Sequence, residues 1–357
     1  MRVNSIEIKK FRNITYTKFD INQNLNVFFG ANASGKTSIL EAIYLLSNGS
    51  SFRTKKLKEV IQFGSTRLFV KGIVGNQDEV PINIGISIGN NYRKINISGE
   101  EIVSRAELAQ HLPVQVVNPG SFLVLEGSPV FRRQFLDWGI FYLQSSFIGD
   151  WKKFKRALSQ RNILLKKDKL KSIEIWDFEL AKYGTIVNEY REQYLTELKP
   201  YFVEISKEFL PSLNFDFRYT PGWDTKYEYS EVLVKEKRRD RYSGFTQSGP
   251  HKADFEVLVE NQSAKKYISR GQLKILLMAL KIAQLELLKS KLKKHGCFLI
   301  DDICAELDHV NLEKLKGFIN EIDLQCFVTG LEKTSLGIID QRNSSEFEIN
   351  NGCISPV

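Results

Sequence analysis

At 357 residues the chain can hold one large or two ordinary domains, and its 42% apolar and 26% charged content is that of a globular protein with a substantial core. No apolar run approaches the roughly 20 residues of a membrane span, and the first ten residues alternate like a strand without a signal-peptide core, so a cytoplasmic location is expected. A formal net charge of +9 favours a polyanionic partner such as nucleic acid.

In chain order the first informative stretch is 25–37. Residues 25–29 form a short apolar run of strand type, and 37–46 has the apolar spacing of a helix. Between them, Gly30-Ala31-Asn32-Ala33-Ser34-Gly35-Lys36-Thr37 has the spacing of a phosphate-binding loop, G-x-x-x-x-G-K-[ST]. Gly30 and Gly35 let the backbone turn its N–H groups inward around phosphates. Lys36 reaches the β- and γ-phosphates as a point charge, and the Thr37 hydroxyl completes a Mg²⁺ shell. The positive end of the following helix faces the same anion. ATP with Mg²⁺ is the expected ligand. Ala33 stands where such loops often carry glycine, which costs backbone freedom.

Residues 68–74 and 80–88 read as strands, and from about 120 the pattern changes to helix. Segments 131–147, 151–167 and 173–210 carry apolar residues at three-and-four spacing, and Pro200 and Pro211 punctuate the last of them. A strand at 214–219 and a charged, exposed stretch at 235–241 follow. Three basic clusters stand out. Lys152, Lys153, Lys155, Arg156, Arg161, Lys166, Lys167, Lys169 and Lys171 share one helical stretch, Arg53, Lys55, Lys56 and Lys58 follow the first helix, and 235–241 is the third. No base-reading module is present, so DNA contact through phosphates is expected, with Lys152, Lys153, Lys155 and Arg156 as the candidate contacts. Arg132 and Arg133 could serve DNA or brace the fold through Asp137.

From 250 onward strand, helix, strand, helix and strand alternate. Cys297-Phe298-Leu299-Ile300-Asp301-Asp302 is an apolar strand ending in two acids, the place where a phosphate-loop ATPase holds its metal. The simplest assignment gives Asp301 the Mg²⁺ and Asp302 the attacking water. Lys36 and Asp301 lie 265 positions apart, more than one compact ATPase domain needs. The expected fold is therefore α/β: an ATPase head split in sequence into 1–118 and 246–357, with an inserted, mostly helical lobe at 119–245. Cys297, Cys304, Cys326 and Cys353 lack metal-ligand spacing and read as reduced, mostly buried thiols.

Ser269-Arg270-Gly271-Gln272, just before an apolar helix, resembles the signature of ABC-type ATPases. In that class the serine, the glycine backbone and the helix N-terminus bind the γ-phosphate held by the opposite subunit, so Ser269, Gly271 and Gln272 are expected on a partner's nucleotide. Ala305-Glu306-Leu307-Asp308 resembles the D-loop of the same class, and Thr329 stands at its switch position, where many members have histidine. Further blocks narrow the resemblance. Phe11-Arg12-Asn13, Leu40-Glu41-Ala42-Ile43-Tyr44, Ser51-Phe52-Arg53, Gly127 to Trp138 and Ser248-Gly249-Pro250-His251-Lys252-Ala253-Asp254 are similar to blocks of the RecF family of bacterial recombination-mediator ATPases.

That resemblance implies an ABC-type head with a short arm lobe, an ATP-dependent homodimer and DNA binding. It also implies work with RecO and RecR in loading RecA at gapped or stalled-fork DNA, and in SOS induction. Asp302 occupies the place where most ABC ATPases carry glutamate, so slow, DNA-stimulated hydrolysis is expected. The competing reading, an ATP-binding subunit of a membrane transporter, shares the loop, signature and acidic strand. The basic helical insertion and the RecF-like blocks weigh against it.

Overall fold

The computed structural model describes residues 2–75, 80–167, 172–302, 309–321, 323–331 and 344–357. The expected D-loop at Ala305 to Asp308, together with Cys304, Lys169 and Lys171, lies outside the described residues. Packing divides the chain into two units, Met1–Ser121 with Leu288–Val357, and Phe122–Leu287.

The first unit begins with a hairpin, β1 (Arg2–Phe11) and β2 (Ile14–Asp20), followed by β3 (Leu25–Phe29) and helix α1 (Lys36–Asn48). Then come β4 (Arg67–Gly75), β5 (Ile82–Gly89), β6 (Arg93–Ile97), β7 (Glu100–Ile102), α2 (Arg105–His111) and β8 (Val114–Val117). One antiparallel sheet has the order β2-β1-β4-β5-β6-β7, and its strands alternate because only one face is buried. The inward residues Ile6, Ile8, Val70, Ile84 and Ile86 share a core with Ile39, Leu40, Ile43, Leu45 and Leu46 of α1. Each such Ile or Leu contributes roughly 1.5–3 kcal/mol by leaving water, so α1 is held along most of its circumference.

The second unit opens with α3 (Leu123–Glu126) and α4 (Pro129–Leu143), then the long neighbours α5 (Phe147–Lys166) and α6 (Ile173–Phe209). The helix expected over 131–147 stops at Leu143, because Gln144 is extended, and Phe147 opens the next helix instead. Pro200 does not end α6. The following turns bury Phe202, Ile205 and Phe209, and Phe202 stacks on Phe217 at 4.8 Å, which offsets the lost backbone bond. Next are β9 (Phe215–Thr220), α7 (Tyr229–Lys235), α8 (Lys237–Ser243), β10 (Asp254–Val259), β11 (Gln262–Ser263), α9 (Ala264–Tyr267) and α10 (Arg270–Leu292). Residues 246–287 group with this unit because β10 pairs with β9 and packs under α4, where Phe135 meets Phe255.

Several charges in this unit brace it from within, some of them residues that the sequence had left to solvent or DNA. Arg161 is fully buried and donates to Asp177 (2.6 Å), Asp240 (2.6 Å) and Thr246 (2.8 Å), so it braces α5 rather than meeting DNA, and Asp240 of the charged stretch is buried with it. Asp137 accepts both bonds of Arg191, while Arg132 forks onto Asp254 and Arg133 donates to the Ala253 carbonyl.

His251, in the same region, donates from Nε2 to the Thr246 carbonyl (3.0 Å) and leaves Nδ1 buried without a partner among the described residues. Burial pushes its pKa from 6.5 down to about 4. Between those values the unfolded chain binds the extra proton, so stability falls as pH drops through that window, by up to about 3 kcal/mol. Denaturant midpoints measured from pH 7 to pH 4.5 should show this loss, and His251→Gln should flatten it; an equally steep acid limb in the variant would assign the sensitivity elsewhere.

The chain returns to the first unit with β12 (Cys297–Ile300), α11 (His309–Glu321), β13 (Gln325–Gly330), β14 (Ser344–Asn350) and β15 (Cys353–Pro356). These join β3 and β8 in a second sheet of order β15-β14-β3-β13-β12-β8, parallel except for β15. β12 and β13 are buried along their whole length, the pattern of parallel strands covered on both faces. Cys297 and Cys326 are buried there, and Cys353 is exposed. No described helix is long and apolar enough to cross a membrane.

Candidate functional site

β3 lies directly against β13, with Val27 opposite Val328, and β13 lies against β12, with Val328 opposite Ile300. Gly30, Asp301 and Thr329 therefore gather at the carboxyl ends of three parallel strands, where open α/β sheets hold ligands. The loop after β3 runs into α1 at Lys36. Gly30 has φ +151°, and a Cβ on it would stand 2.2 Å from the Ile349 carbonyl oxygen. Gly35 has φ +122° with the Asn13 side chain 3.0 Å from where a Cβ would be. Neither position admits a side chain.

Two hairpin turns hold the loop in place. Asn13, between β1 and β2, donates to the carbonyls of Ser34 (2.8 Å) and Ala33 (3.3 Å), and the Gly352 N–H, between β14 and β15, donates to Ser34 O (2.7 Å). Ala33 is left-handed at φ +62°, which costs about 1–2 kcal/mol and is tolerated because those bonds fix its carbonyl.

On the acidic side, Thr37 Oγ1 donates to Asp301 Oδ1 (2.9 Å). Thr329 Oγ1 donates to the same oxygen (2.9 Å) and accepts the Asp302 N–H (2.7 Å). One hydroxyl on β13 thus ties both acids of β12 to the strand beside the loop. Burial raises the Asp301 pKa, opposed by the hydroxyls of Thr329 and Thr37. Asp302 is left-handed at φ +56°, and its Oδ1 is buried without a hydrogen-bond partner among the described residues. Lys36 folds back, donating to the carbonyls of Gly30 (2.6 Å) and Ala31 (2.8 Å); burial lowers its pKa, and Asp302 and Asp301 pull it back up.

A third cluster braces this site. Glu41 of α1 is fully buried and accepts a two-pronged bond from Arg12 (2.9 and 2.8 Å), one from the Ser51 hydroxyl and a longer one from Arg53 (3.5 Å). Arg12 also donates to the Glu59 carbonyl at 2.9 Å.

These groups enclose a cavity of about 820 Å³, lined by Arg12, Asn13, Asn32 to Ser38, Arg53, Gln62, Phe63, Asp301, Asp302 and Thr329. Of the loop residues singled out by sequence, Asn32, Ala33, Ser34, Gly35, Lys36 and Thr37 line it, and Gly30 and Ala31 form its turn. Residue pattern alone had assigned no role to Arg12, Asn13 or Glu41, and had counted Arg53 only as part of a basic cluster. Their signal was membership of the short RecF-like blocks.

Ser269, Gly271 and Gln272 belong to the second unit, where they open α10. Gln272 N–H donates to Ser269 Oγ (3.3 Å) and Ser269 N–H to Gln272 Oε1 (3.0 Å), a reciprocal capping box. Because Oγ acts there as an acceptor, its own proton is left to donate outward. Lys152, Lys153, Lys155 and Arg156 are exposed on α5, interleaved with aromatic rings: Lys153 lies over Tyr183 (4.9 Å), Lys155 over Trp151 (5.7 Å) and Arg156 over Trp176 (5.9 Å).

The family model described as RecF/RecN/SMC N terminal domain matches residues 2–354. The chain is 39% identical over 338 residues to the DNA replication and repair protein RecF of Shewanella piezotolerans, covering 94% of each. It is 34% identical over 356 residues to the RecF of Vibrio vulnificus strain YJ016, covering 99% of each. Among solved structures it is similar to the recombination mediator protein RecF with ATP in the RecFOR pathway, at TM-score 0.88 and 28% identity over 100% of this chain and 97% of that one. An SMC head bound to the C-terminal winged-helix domain of ScpA aligns at TM-score 0.61 and 15% identity over 100% and 97%, a likeness of fold alone.

Proposed function

This chain belongs to the RecF family of SMC-type ATPases, and from that premise we propose that it is an ATP-binding recombination mediator that dimerises on DNA in repair and replication restart. The observation that carries the reading is the convergence of Asn32 to Thr37, Asp301, Asp302 and Thr329 on one cavity. The residues fit a triphosphate with Mg²⁺. The Ser34 hydroxyl and Asp302 Oδ1 are both buried there without partners among the described residues, one able to donate to a phosphate, the other to accept from a water. Thr37 and Asp301, already 2.9 Å apart, would hold the metal, which neutralises charge on the phosphates.

Lys36 exchanges the carbonyls of Gly30 and Ala31 for phosphate oxygens, and the α1 N-terminus directs its free N–H groups at the same charge. Asp302, tethered through its N–H to Thr329, orients the attacking water. Its short side chain reaches less far than a glutamate would, in keeping with slow, DNA-stimulated hydrolysis. Ser269, Gly271 and the α10 N-terminus act on the γ-phosphate of a second copy, so ATP closes a homodimer. That dimer binds DNA near single-strand gaps and, with RecO and RecR, promotes RecA loading and SOS induction.

Titration of gapped, duplex and single-stranded DNA with and without ATP tests this reading. ATP should strengthen binding, most on the gapped substrate, and affinity should fall steeply with salt. Reversing Lys152, Lys153 and Lys155 to glutamate should flatten the log–log salt slope by up to about 3. An unchanged slope removes this face of α5 from the DNA contact, and DNA binding indifferent to ATP would overturn the clamp.

A further inference from the structure

The antiparallel sheet of the first unit buries one face against α1, and its strands alternate, so the residues beside the core positions point the other way. Lys9 follows Ile8, Phe69 precedes Val70, Ser87 separates Ile86 from Ile88, and Lys94 precedes Ile95. Strand register sets these outward residues in one line. Tyr16 lies opposite Lys9, Lys9 opposite Phe69, Phe69 opposite Ser87, and Ser87 opposite Lys94. The row crosses β2, β1, β4, β5 and β6, a span of about 19 Å at the usual strand spacing. The next row on this face places Lys71 opposite Gly85 and Gly85 opposite Asn96.

Two hollows of about 500 and 610 Å³ run along this face and share Phe69 and Ser87. Lys9, Lys10, Arg67, Lys71 and Lys94 line them, with no acid among the described lining residues. Glu7 pairs with Lys9 (2.7 Å) and Glu101 with Lys94 (3.6 Å) nearby, which still leaves positive charge in excess. Rings are interleaved with these cations. The Lys9 ammonium stands 5.3 Å from the centre of the Tyr16 ring and 5.9 Å from that of Phe69, and Tyr16 is 56% exposed. A Cβ on Gly85 would lie 3.8 Å from the Phe69 ring, so glycine there leaves the flank of that ring open. A solvated sheet face explains scattered lysines, but not two rings aligned with them across adjoining strands.

We propose that the outward face of this sheet is a platform for single-stranded DNA, with bases stacking on Tyr16 and Phe69 and phosphates meeting Lys9, Lys71 and Lys94. This assignment rests on the DNA-binding reading of the protein and gives the single strand a surface separate from α5. A duplex keeps its base faces stacked inside, so rings on a sheet gain little from it. A single strand offers base faces and phosphates together, and aromatic side chains on a sheet flanked by cations suit both. Each stacked base contributes roughly 1–3 kcal/mol without demanding a sequence.

Fluorescence anisotropy on the full chain, with labelled oligo(dT) and a mixed-sequence duplex of the same length as probes, tests the platform. Tyr16→Ala combined with Phe69→Ala should weaken oligo(dT) about tenfold or more and leave duplex affinity unchanged. Lys71→Glu combined with Lys94→Glu should also weaken oligo(dT) and flatten its log–log salt slope by about 1.4. Phe69 is partly buried, so photo-cross-linking of 5-iodouracil-substituted oligo(dT) to the wild type supplies a readout independent of any variant's folding. Attachment should map to Tyr16 or Phe69. Unchanged oligo(dT) affinity in either double variant overturns the proposal, as does equal loss for oligo(dT) and duplex, or attachment confined to the second unit. A wild type that binds duplex but not oligo(dT) overturns the platform alone; one that binds neither overturns the DNA-binding reading with it.

Discussion

Ser269→Arg is expected to abolish ATP-driven dimerisation while leaving ATP binding to the monomer intact. Ser269 is exposed and sits on the second unit, outside the set of residues that line the nucleotide cavity. In the proposed in-trans scheme its loss removes a charge-assisted bond to the γ-phosphate of the other copy and puts a long side chain into a close contact. Together these should weaken the dimer at least ~100-fold, about 2.7 kcal/mol. The same change removes one half of the α10 capping box, at a local cost of about 1 kcal/mol that the rest of the helix can absorb. Lys36→Met, by contrast, should lose ATP binding and dimerisation together. Mixing the two variants restores one composite site, the intact loop of the Ser269 variant facing the intact serine of the Lys36 variant. Sedimentation of each protein alone and of the mixture, with and without ATP, decides the matter. A Ser269→Arg protein that dimerises normally, or a dimer that ignores ATP, would sink the in-trans scheme.

Glu41→Ala should destabilise the first unit by about 3 kcal/mol, the low end for breaking a buried pair. Glu41 is fully buried, but its partners are not: the Arg12 and Arg53 side chains are 22% and 45% exposed, so solvent screens part of the gain. What remains is substantial, because the two-pronged Arg12 fork and the Ser51 hydroxyl lose their shared acceptor at once. Arg12 and Arg53 also line the cavity, so ATP affinity should fall with stability. Glu41→Gln keeps an acceptor and should cost less than Glu41→Ala. Chemical denaturation of the three proteins, read beside ATP titrations, separates these effects. A loss below about 1 kcal/mol for Glu41→Ala would mean that the cluster is a surface arrangement of little energetic weight.

Much of this site was legible as local pattern. The loop at Gly30 to Thr37 is a contiguous motif whose glycines are required by their own backbone angles, and the acidic pair closes a four-residue apolar strand. Each is dictated by neighbours in the chain. Arg161 shows where pattern misleads: within a run of basic residues it is indistinguishable from Lys152 or Lys155, and only the approach of Asp177 and Asp240 makes it a buried brace. Asp137 is similar. Its partner Arg191 lies 54 positions away, and the adjacent Arg132 and Arg133 turn elsewhere.

By itself, then, the sequence determined where the phosphate-loop motif lies, which strand carries the acids, that the ATPase head is interrupted, and which family the chain belongs to. These follow from short-range backbone conformation and from residue types in fixed order. Tertiary structure decided what stands beside what. β13 inserts between β3 and β12, so Thr329 becomes the hydroxyl that ties Asp301 and Asp302 together. Three separated blocks around Arg12, Glu41 and Ser51 become one ionic cluster, and Phe63 comes to line the same cavity as the phosphate loop. Parallel strands need a crossover of at least about a dozen residues but set no upper limit on the chain between them, and long-range ion pairs depend on which side chains burial brings together. Neither is written in local spacing.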